Sequence, residues 1–196
     1  GKSFEIEADT SFKTHSSAII FDELRMGCYY DANLEIKGWS EPDFDDSNWD
    51  FVKFAEPPKG EPKLCTVSPI VKTEEIQPIE IKHFDYLPFA YESTLEDSEP
   101  FIQTVRENVY VYDFGVNGAG VTKLKIKGKK GQKITIRHGE CLQNGNFSIN
   151  SVIFNRPESV DRYLEYAQKD IFICSGEEDE FVPKFTYDGF RYAYVE

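Results

Sequence analysis

Val121-Thr122-Lys123-Leu124-Lys125-Ile126-Lys127 runs through the link Gly128-Lys129-Lys130-Gly131 into Gln132-Lys133-Ile134-Thr135-Ile136-Arg137-His138. This pair of runs decides the fold class. In the first, Thr122, Leu124 and Ile126 alternate with Lys123, Lys125 and Lys127. In the second, Ile134 and Ile136 alternate with Lys133, Thr135 and Arg137. Successive side chains of a strand point to opposite faces, so a period of two with one charged face describes a half-buried antiparallel strand. The glycine-bounded link between the runs predicts a tight hairpin turn.

The same pattern extends outward. Asn144-Gly145, inside Leu142-Gln143-Asn144-Gly145-Asn146-Phe147, is a strong short-range hairpin signal. Phe190-Arg191-Tyr192-Ala193-Tyr194-Val195 reads as an aromatic strand. One segment, Pro157 to Lys169, places Val160, Leu164 and Ala167 on a common face and is the single helix expected. The class is all-β. Pro78 to Pro100 shows little alternation and ends in the acidic stretch Glu92-Ser93-Thr94-Leu95-Glu96-Asp97-Ser98-Glu99-Pro100, which reads as a solvated loop or linker.

The 196-residue chain is 40% hydrophobic and 15% aromatic, a composition that supports a packed core. Asp and Glu number 35 against 22 Lys and Arg, a net charge of −13 that repels phosphate and anionic lipid. Nucleic acid and membrane surfaces are therefore not expected partners. The strongest apolar runs, Ala18-Ile19-Ile20-Phe21 and Ile171-Phe172-Ile173-Cys174, fall far short of the ~20 residues of a membrane helix. Gly1-Lys2-Ser3-Phe4-Glu5 does not read as a secretory signal, and the missing Met is expected of a processed or excised chain. Cys28, Cys65, Cys141 and Cys174 lie too far apart for a zinc pattern and too sparsely for a disulfide scaffold, so four free thiols are expected. Cys174 closes an apolar run and reads as a core residue.

Catalytic motifs are scarce. His15, His83 and His138 stand apart, without a His or Cys partner at metal-binding spacing. Gly115-Val116-Asn117-Gly118-Ala119-Gly120 precedes a strand and not a phosphate-cradling helix, so it reads as a bend between strands. The acidic knot Asp43-Phe44-Asp45-Asp46-Ser47-Asn48-Trp49-Asp50 fails as a calcium loop: Asn48 stands where glycine is needed and Phe54 where the bidentate Glu is needed. It reads instead as a turn whose Asp side chains bond neighbouring backbone, with Trp49 anchoring the next strand. Glycoside cleavage needs two carboxylates ~5–10 Å apart across the sugar. Asp113 and Glu140 stand at strand ends and could line a cleft, although such residues more often bond backbone. Tyr30, Asp31, Asn33 and Trp39 combine stacking faces with polar groups and are the candidate carbohydrate-binding residues; the plainer reading packs Tyr30 and Trp39 in a core.

Two stretches resemble the bacterial α-L-rhamnosidases of glycoside hydrolase family 78. The first is Gly27-Cys28-Tyr29-Tyr30-Asp31-Ala32-Asn33-Leu34-Glu35, then Gly38-Trp39, Phe44-Asp45-Asp46-Ser47-Asn48-Trp49, and Pro69 through Ile79. It is similar to the latter part of that family's N-terminal jelly-roll domain. The second is Val111-Tyr112-Asp113-Phe114-Gly115-Val116-Asn117-Gly118-Ala119-Gly120, then Arg137-His138-Gly139-Glu140-Cys141-Leu142, Asn144-Gly145-Asn146, and Phe185-Thr186-Tyr187-Asp188-Gly189-Phe190-Arg191-Tyr192. It is similar to the family's concanavalin-like sandwich.

The resemblance implies two antiparallel β-sandwich units, over 1–82 and 105–196, with a linker over 83–104. It implies a non-catalytic segment whose catalytic carboxylates belong to an α/α barrel of the same polypeptide. Rhamnose-containing carbohydrate would be the substrate or, for a binding module, the ligand. In some members the jelly roll binds rhamnose through calcium. Here Cys28 stands where the family often has Glu, and a thiol is a poor ligand for an oxygen-seeking ion, so no cofactor is expected.

Overall fold

The computed structural model describes residues 1, 3–89, 104–152 and 167–196. Strands dominate, and among the described residues the only helical turns are short 3-10 turns at Ala32–Leu34 and Asn150–Val152. The helix expected over Pro157–Lys169 lies mostly outside the described residues; Lys169 itself opens a strand. The chain divides into two compact units, residues 1–17 with 36–75 and residues 18–35 with 76–196.

In the first unit, β1 (Lys13–Thr14) pairs antiparallel with β4 (Asp50–Phe51). The acidic knot folds around this ladder as a turn. Asp45 Oδ1 accepts from Ser47 N, and Lys13 Nζ reaches Asp46 Oδ1 and its carbonyl, both at 2.8 Å. Trp49 lies between His15 and Phe44, with centroids 5.3 and 5.5 Å apart.

The second unit is built on a seven-stranded sheet. Its members in chain order are β2 (Ile19–Glu23), β3 (Gly27–Asp31), β5 (Glu80–Phe89), β6 (Thr104–Gly120), β8 (Lys133–Gly139), β11 (Lys169–Ile173) and β13 (Asp188–Val195). Across the sheet the order is β2-β3-β11-β8-β13-β6-β5. Every pair is antiparallel except β3 with β11, where Tyr29 faces Ile171 and Tyr30 faces Phe172 in parallel register. The β2–β3 hairpin, early in the sequence, thus belongs to the sheet of the later residues.

Both faces of this sheet are covered. One carries Val109, Val111, Phe147, Ile149, Val152, Tyr192 and Tyr194. The other carries Cys28, Ile134, Ile136, Phe172, Cys174, Phe181 and Ala193. The first face packs under the hairpin β9 (Cys141–Gln143) and β10 (Asn146–Ser148), whose turn places Asn144 and Gly145 at φ 52° and 82°. That is the Asn-Gly turn the sequence predicts. The second face packs under β7 (Leu124–Lys127) paired with β12 (Glu178–Phe181). β7 alternates half-buried Leu124 and Ile126 with exposed Lys125 and Lys127, as its period requires.

Four expectations are corrected. β8 does not hairpin with β7: it pairs with β11 and β13, while β7 pairs with β12. Gly128–Gly131 still turns, but it carries the chain from the small sheet to the large one, because Leu124 and Ile126 find their apolar partner in Phe181. Nor is β8 half-exposed. Thr135 and Arg137 are only 5% and 9% exposed, because material covers the far face of a central strand. Gly115–Gly120 is not a bend between strands but a bulge inside β6: Gly118 pairs Phe190 and Asp113 pairs Tyr192, so four residues face Arg191 alone. Finally, the stretch read as a loop from Pro78 opens with β5. Over Glu80–Asp85 of this edge strand only Phe84 is partly buried, and Ile81 is 55% exposed, which leaves little alternation to read. The acidic stretch Glu92–Pro100 lies outside the described residues.

Candidate functional site

Three distant stretches meet at one end of the large sheet: the β6 bulge, the end of β8 and the start of β13. At the rim, Arg191 forks onto Asp113, Nε to Oδ1 at 2.8 Å and Nη2 to Oδ2 at 2.9 Å. Asp113 Oδ1 also accepts from Gly115 N at 2.7 Å, which holds the bulge at its tight point, where Gly115 has φ 81°. The Arg191 guanidinium holds the Asp113 carboxyl below the usual carboxylate range. Asn117 Nδ2 donates to Glu140 Oε1 at 3.4 Å. The cleft bordered by Glu80, Lys82, Asp113 and Tyr192 encloses about 20 Å³, room for one water and not for a sugar ring.

Below the rim lies a buried titratable cluster. His138, Asp170 and Asp188 are 0%, 0% and 2% exposed. Each comes from a different strand, β8, β11 and β13, and β8 lies between the other two. His138 Nε2 is 2.7 Å from Thr122 Oγ1, and Nδ1 is 2.9 Å from Asp188 Oδ2. Asp170 Oδ1 accepts from Cys28 N at 2.8 Å. Gln168 clamps the strands, donating from Nε2 to the carbonyls of His138 and Gly189 and accepting from Gly189 N. Burial pushes the His138 pKa down, but the Asp188 and Asp170 carboxylates outweigh it and the net shift is upward. Burial pushes Asp170 up to about 6, with Asp188 and Asp22 adding and His138 opposing. This is the cluster among the described residues that could hold a metal ion.

The sequence-predicted carbohydrate residues fall in both units. Tyr30, Asp31 and Asn33 are neighbours in the second unit, whereas Trp39 belongs to the first. Tyr30 packs against Phe172 and Phe181, and its hydroxyl donates to Glu35 Oε1. Burial, then the Glu35 carboxylate, raise the Tyr30 phenol above its ordinary value. Asp31 caps the 3-10 turn, accepting from Asn33 N at 2.9 Å and Asn33 Nδ2 at 2.8 Å. Asn33 Nδ2 also donates to Cys174 O at 3.1 Å. Tyr30 is half-buried at the edge of the apolar cluster, and Trp39 is 63% exposed.

In the acidic knot Asp45 accepts from Ser47 N and Asp46 pairs with Lys13. Cys28 is 2% exposed, and burial with the Asp22 and Asp170 carboxylates pushes its thiol up to about 12, so it stays a neutral S–H.

The stretches that meet at this end are those of a known architecture. Residues 103–196 match the bacterial alpha-L-rhamnosidase concanavalin-like domain, and residues 1–74 match the alpha-L-rhamnosidase N-terminal domain. The chain belongs to the α-L-rhamnosidase family. An alpha-L-rhamnosidase of Formosa agariphila is 28% identical over 200 residues, covering 100% of this chain and 18% of the relative. One from Streptomyces avermitilis is 28% identical over 195 residues, covering 100% and 16%. Among solved structures, the alpha-L-rhamnosidase from Dictyoglumus thermophilum superposes with a TM-score of 0.64 at 32% identity, over 97% of this chain and 18% of that one. The Streptomyces avermitilis enzyme complexed with L-rhamnose gives 0.63 at 25%, over 97% and 16%. The chain therefore spans under a fifth of the length of these rhamnosidases.

Sequence reasoning missed the buried cluster because it treated His138 as a lone histidine. Two signals were available. His138 and Asp188 both sit in the rhamnosidase-like stretches, and Asp170 places a charge at the mouth of the apolar run Ile171-Phe172-Ile173.

Proposed function

We propose that this segment is a non-catalytic β-sandwich part of a rhamnosidase-type glycoside hydrolase, serving a catalytic barrel of the same polypeptide that cleaves rhamnose-containing glycosides. The observation that carries the reading is how the rhamnosidase-like stretches spend their carboxylates. Asp113 is locked to Arg191 as an anion, and Asp188 is buried out of a substrate's reach. A general acid must hold a proton near neutral pH beside the bond it cleaves, which neither can do. Of the three carboxylates in the second set of those stretches this leaves Glu140, and glycoside cleavage takes two. The division into 1–82, 83–104 and 105–196 belongs to the same proposal, as a division by sequence in which the first part lends its β2–β3 hairpin to the sheet of the last. Prolonged incubation of the pure chain with an aryl α-L-rhamnoside should give no turnover. Turnover that disappears in Glu140→Gln would overturn the reading.

A second reading, favoured by the exposed indole of Trp39, is a rhamnose-binding module that uses this ring as its stacking face. Calorimetric titration with L-rhamnose tests it. Saturable heat that Trp39→Ala abolishes, with folding intact, supports the module; absence of heat removes it.

A further inference from the structure

The buried polar atoms that lack partners gather in one place. His138, Asp170 and Asp188 each offer a ligand atom within 4.8 Å of the others. One side of two of these groups has a structural partner: His138 Nε2 faces Thr122 Oγ1, and Asp170 Oδ1 accepts from Cys28 N. What remains is His138 Nδ1, Asp170 Oδ2 and both oxygens of Asp188, and none of the four has a hydrogen-bond partner. Nδ1 lies 2.9 Å from Asp188 Oδ2, yet the pair lacks the direction of a hydrogen bond. Such a gathering of unsatisfied donor atoms is what a bound cation would explain. In the tautomer in which Nε2–H donates to Thr122 Oγ1, Nδ1 turns a lone pair toward two carboxylates. That arrangement is repulsive unless a cation or a second proton lies between them. Asp22 Oδ2, on β2 opposite Cys28, is a further buried oxygen without a partner and adds negative charge beside Asp170.

We propose that His138 Nδ1, Asp170 Oδ2 and the Asp188 carboxylate hold a zinc-class divalent ion as a closed structural site inside the sandwich. The donor set decides the class. An imidazole nitrogen among carboxylate oxygens suits zinc, whereas calcium takes oxygen alone. Asp188 bound through both oxygens would bring the donor atoms to four, from three residues. The charges of Asp170 and Asp188 balance the ion. Thr122 supplies the outer hydrogen bond that orients a ligating histidine. The ion would tie β8 to β11 and β13, on either side of it, at the end where the bulged rim is built.

The test is zinc content after refolding the untagged full chain from denaturant in ZnCl2 or in EDTA, followed by gel filtration and elemental analysis. A Cys65→Ser/Cys141→Ser background removes the exposed thiols that could take zinc on their own. The expected result is about one zinc per chain, a higher Tm than the EDTA-refolded sample, and loss of the zinc in Asp188→Asn. Cobalt in place of zinc should show d–d bands without thiolate charge transfer. Less than about a tenth of a zinc per chain with equal Tm values would overturn the site and leave a proton to bridge the cluster. Zinc retained in full by a folded Asp188→Asn would overturn it equally. Should Asp188→Asn fail to fold, the stoichiometry and cobalt spectrum of the background protein decide alone.

Discussion

Gly27→Ala should destabilise this protein more than any mutation of its size at the surface. Gly27 opens β3 at φ +113°, a conformation that side chains rarely adopt. A Cβ there would be driven into the Lys169 carbonyl oxygen and lie 2.6 Å from its carbon and 3.0 Å from Asp170 Oδ1. The obstacle cannot retreat. Lys169 N donates to Met26 O at 2.8 Å, and β11 is held on its far side by β8. Backbone strain costs about 1–3 kcal/mol and forced overpacking another 1–3, so the sum is about 2–6 kcal/mol. With a urea slope of about 2 kcal/mol/M, the unfolding midpoint should fall by about 1–3 M. The assay is urea unfolding of the full chain followed by circular dichroism. Gly118→Ala serves as the control, since Gly118 has ordinary φ and nothing within 4 Å of the place its new methyl group would take. A Gly27→Ala midpoint as mild as that of Gly118→Ala would refute the reasoning, and with it the tight β3–β11 approach.

Phe172 is 1% exposed and stacks on Phe181 with centroids 5.1 Å apart; Phe172→Ala should cost about 3–5 kcal/mol in the same urea assay. In the native protein, Cys65 and Cys141 should react with a thiol reagent while buried Cys28 and Cys174 wait for unfolding, when all four react; a third fast thiol would contradict the packing. Asp113, held low by Arg191, favours the folded state as an anion, so its contribution is full above the ordinary carboxylate pKa of about 4 and is lost as pH falls through the lower folded value. The stability gap between wild type and Asp113→Asn, read from urea midpoints at stepped pH, should therefore close in acid; a gap independent of pH would remove the ion pair from the account.

The fold class was legible because its signals are local. Leu124 and Ile126 alternate with lysines along β7, and Asn144-Gly145 needs only its own φ angles to turn. The aromatic run Phe190–Val195 lies in the interior strand β13, between β8 and β6. The candidate residues fared unevenly for the same reason. Asp31 and Asn33 are polar and close in sequence, but their polarity goes to capping one turn and to Cys174 O. Tyr30 is half-buried, because β11 brings Phe172 against its ring while its hydroxyl stays at the surface with Glu35.

Local pattern by itself determined that this chain makes strands, where several of them turn, and that its thiols stand apart. Tertiary structure decided which strands are neighbours. Period two says that a side chain points up or down, not what covers it, so β8 read as half-exposed until both of its faces were seen packed. Pairing is a contest among distant segments, which is why the β2–β3 hairpin could leave the first half of the chain and lie parallel to β11. The buried cluster exists only through that contest: His138, Asp170 and Asp188 share no sequence window, and only the placing of β11 and β13 on either side of β8 brings them within 4.8 Å.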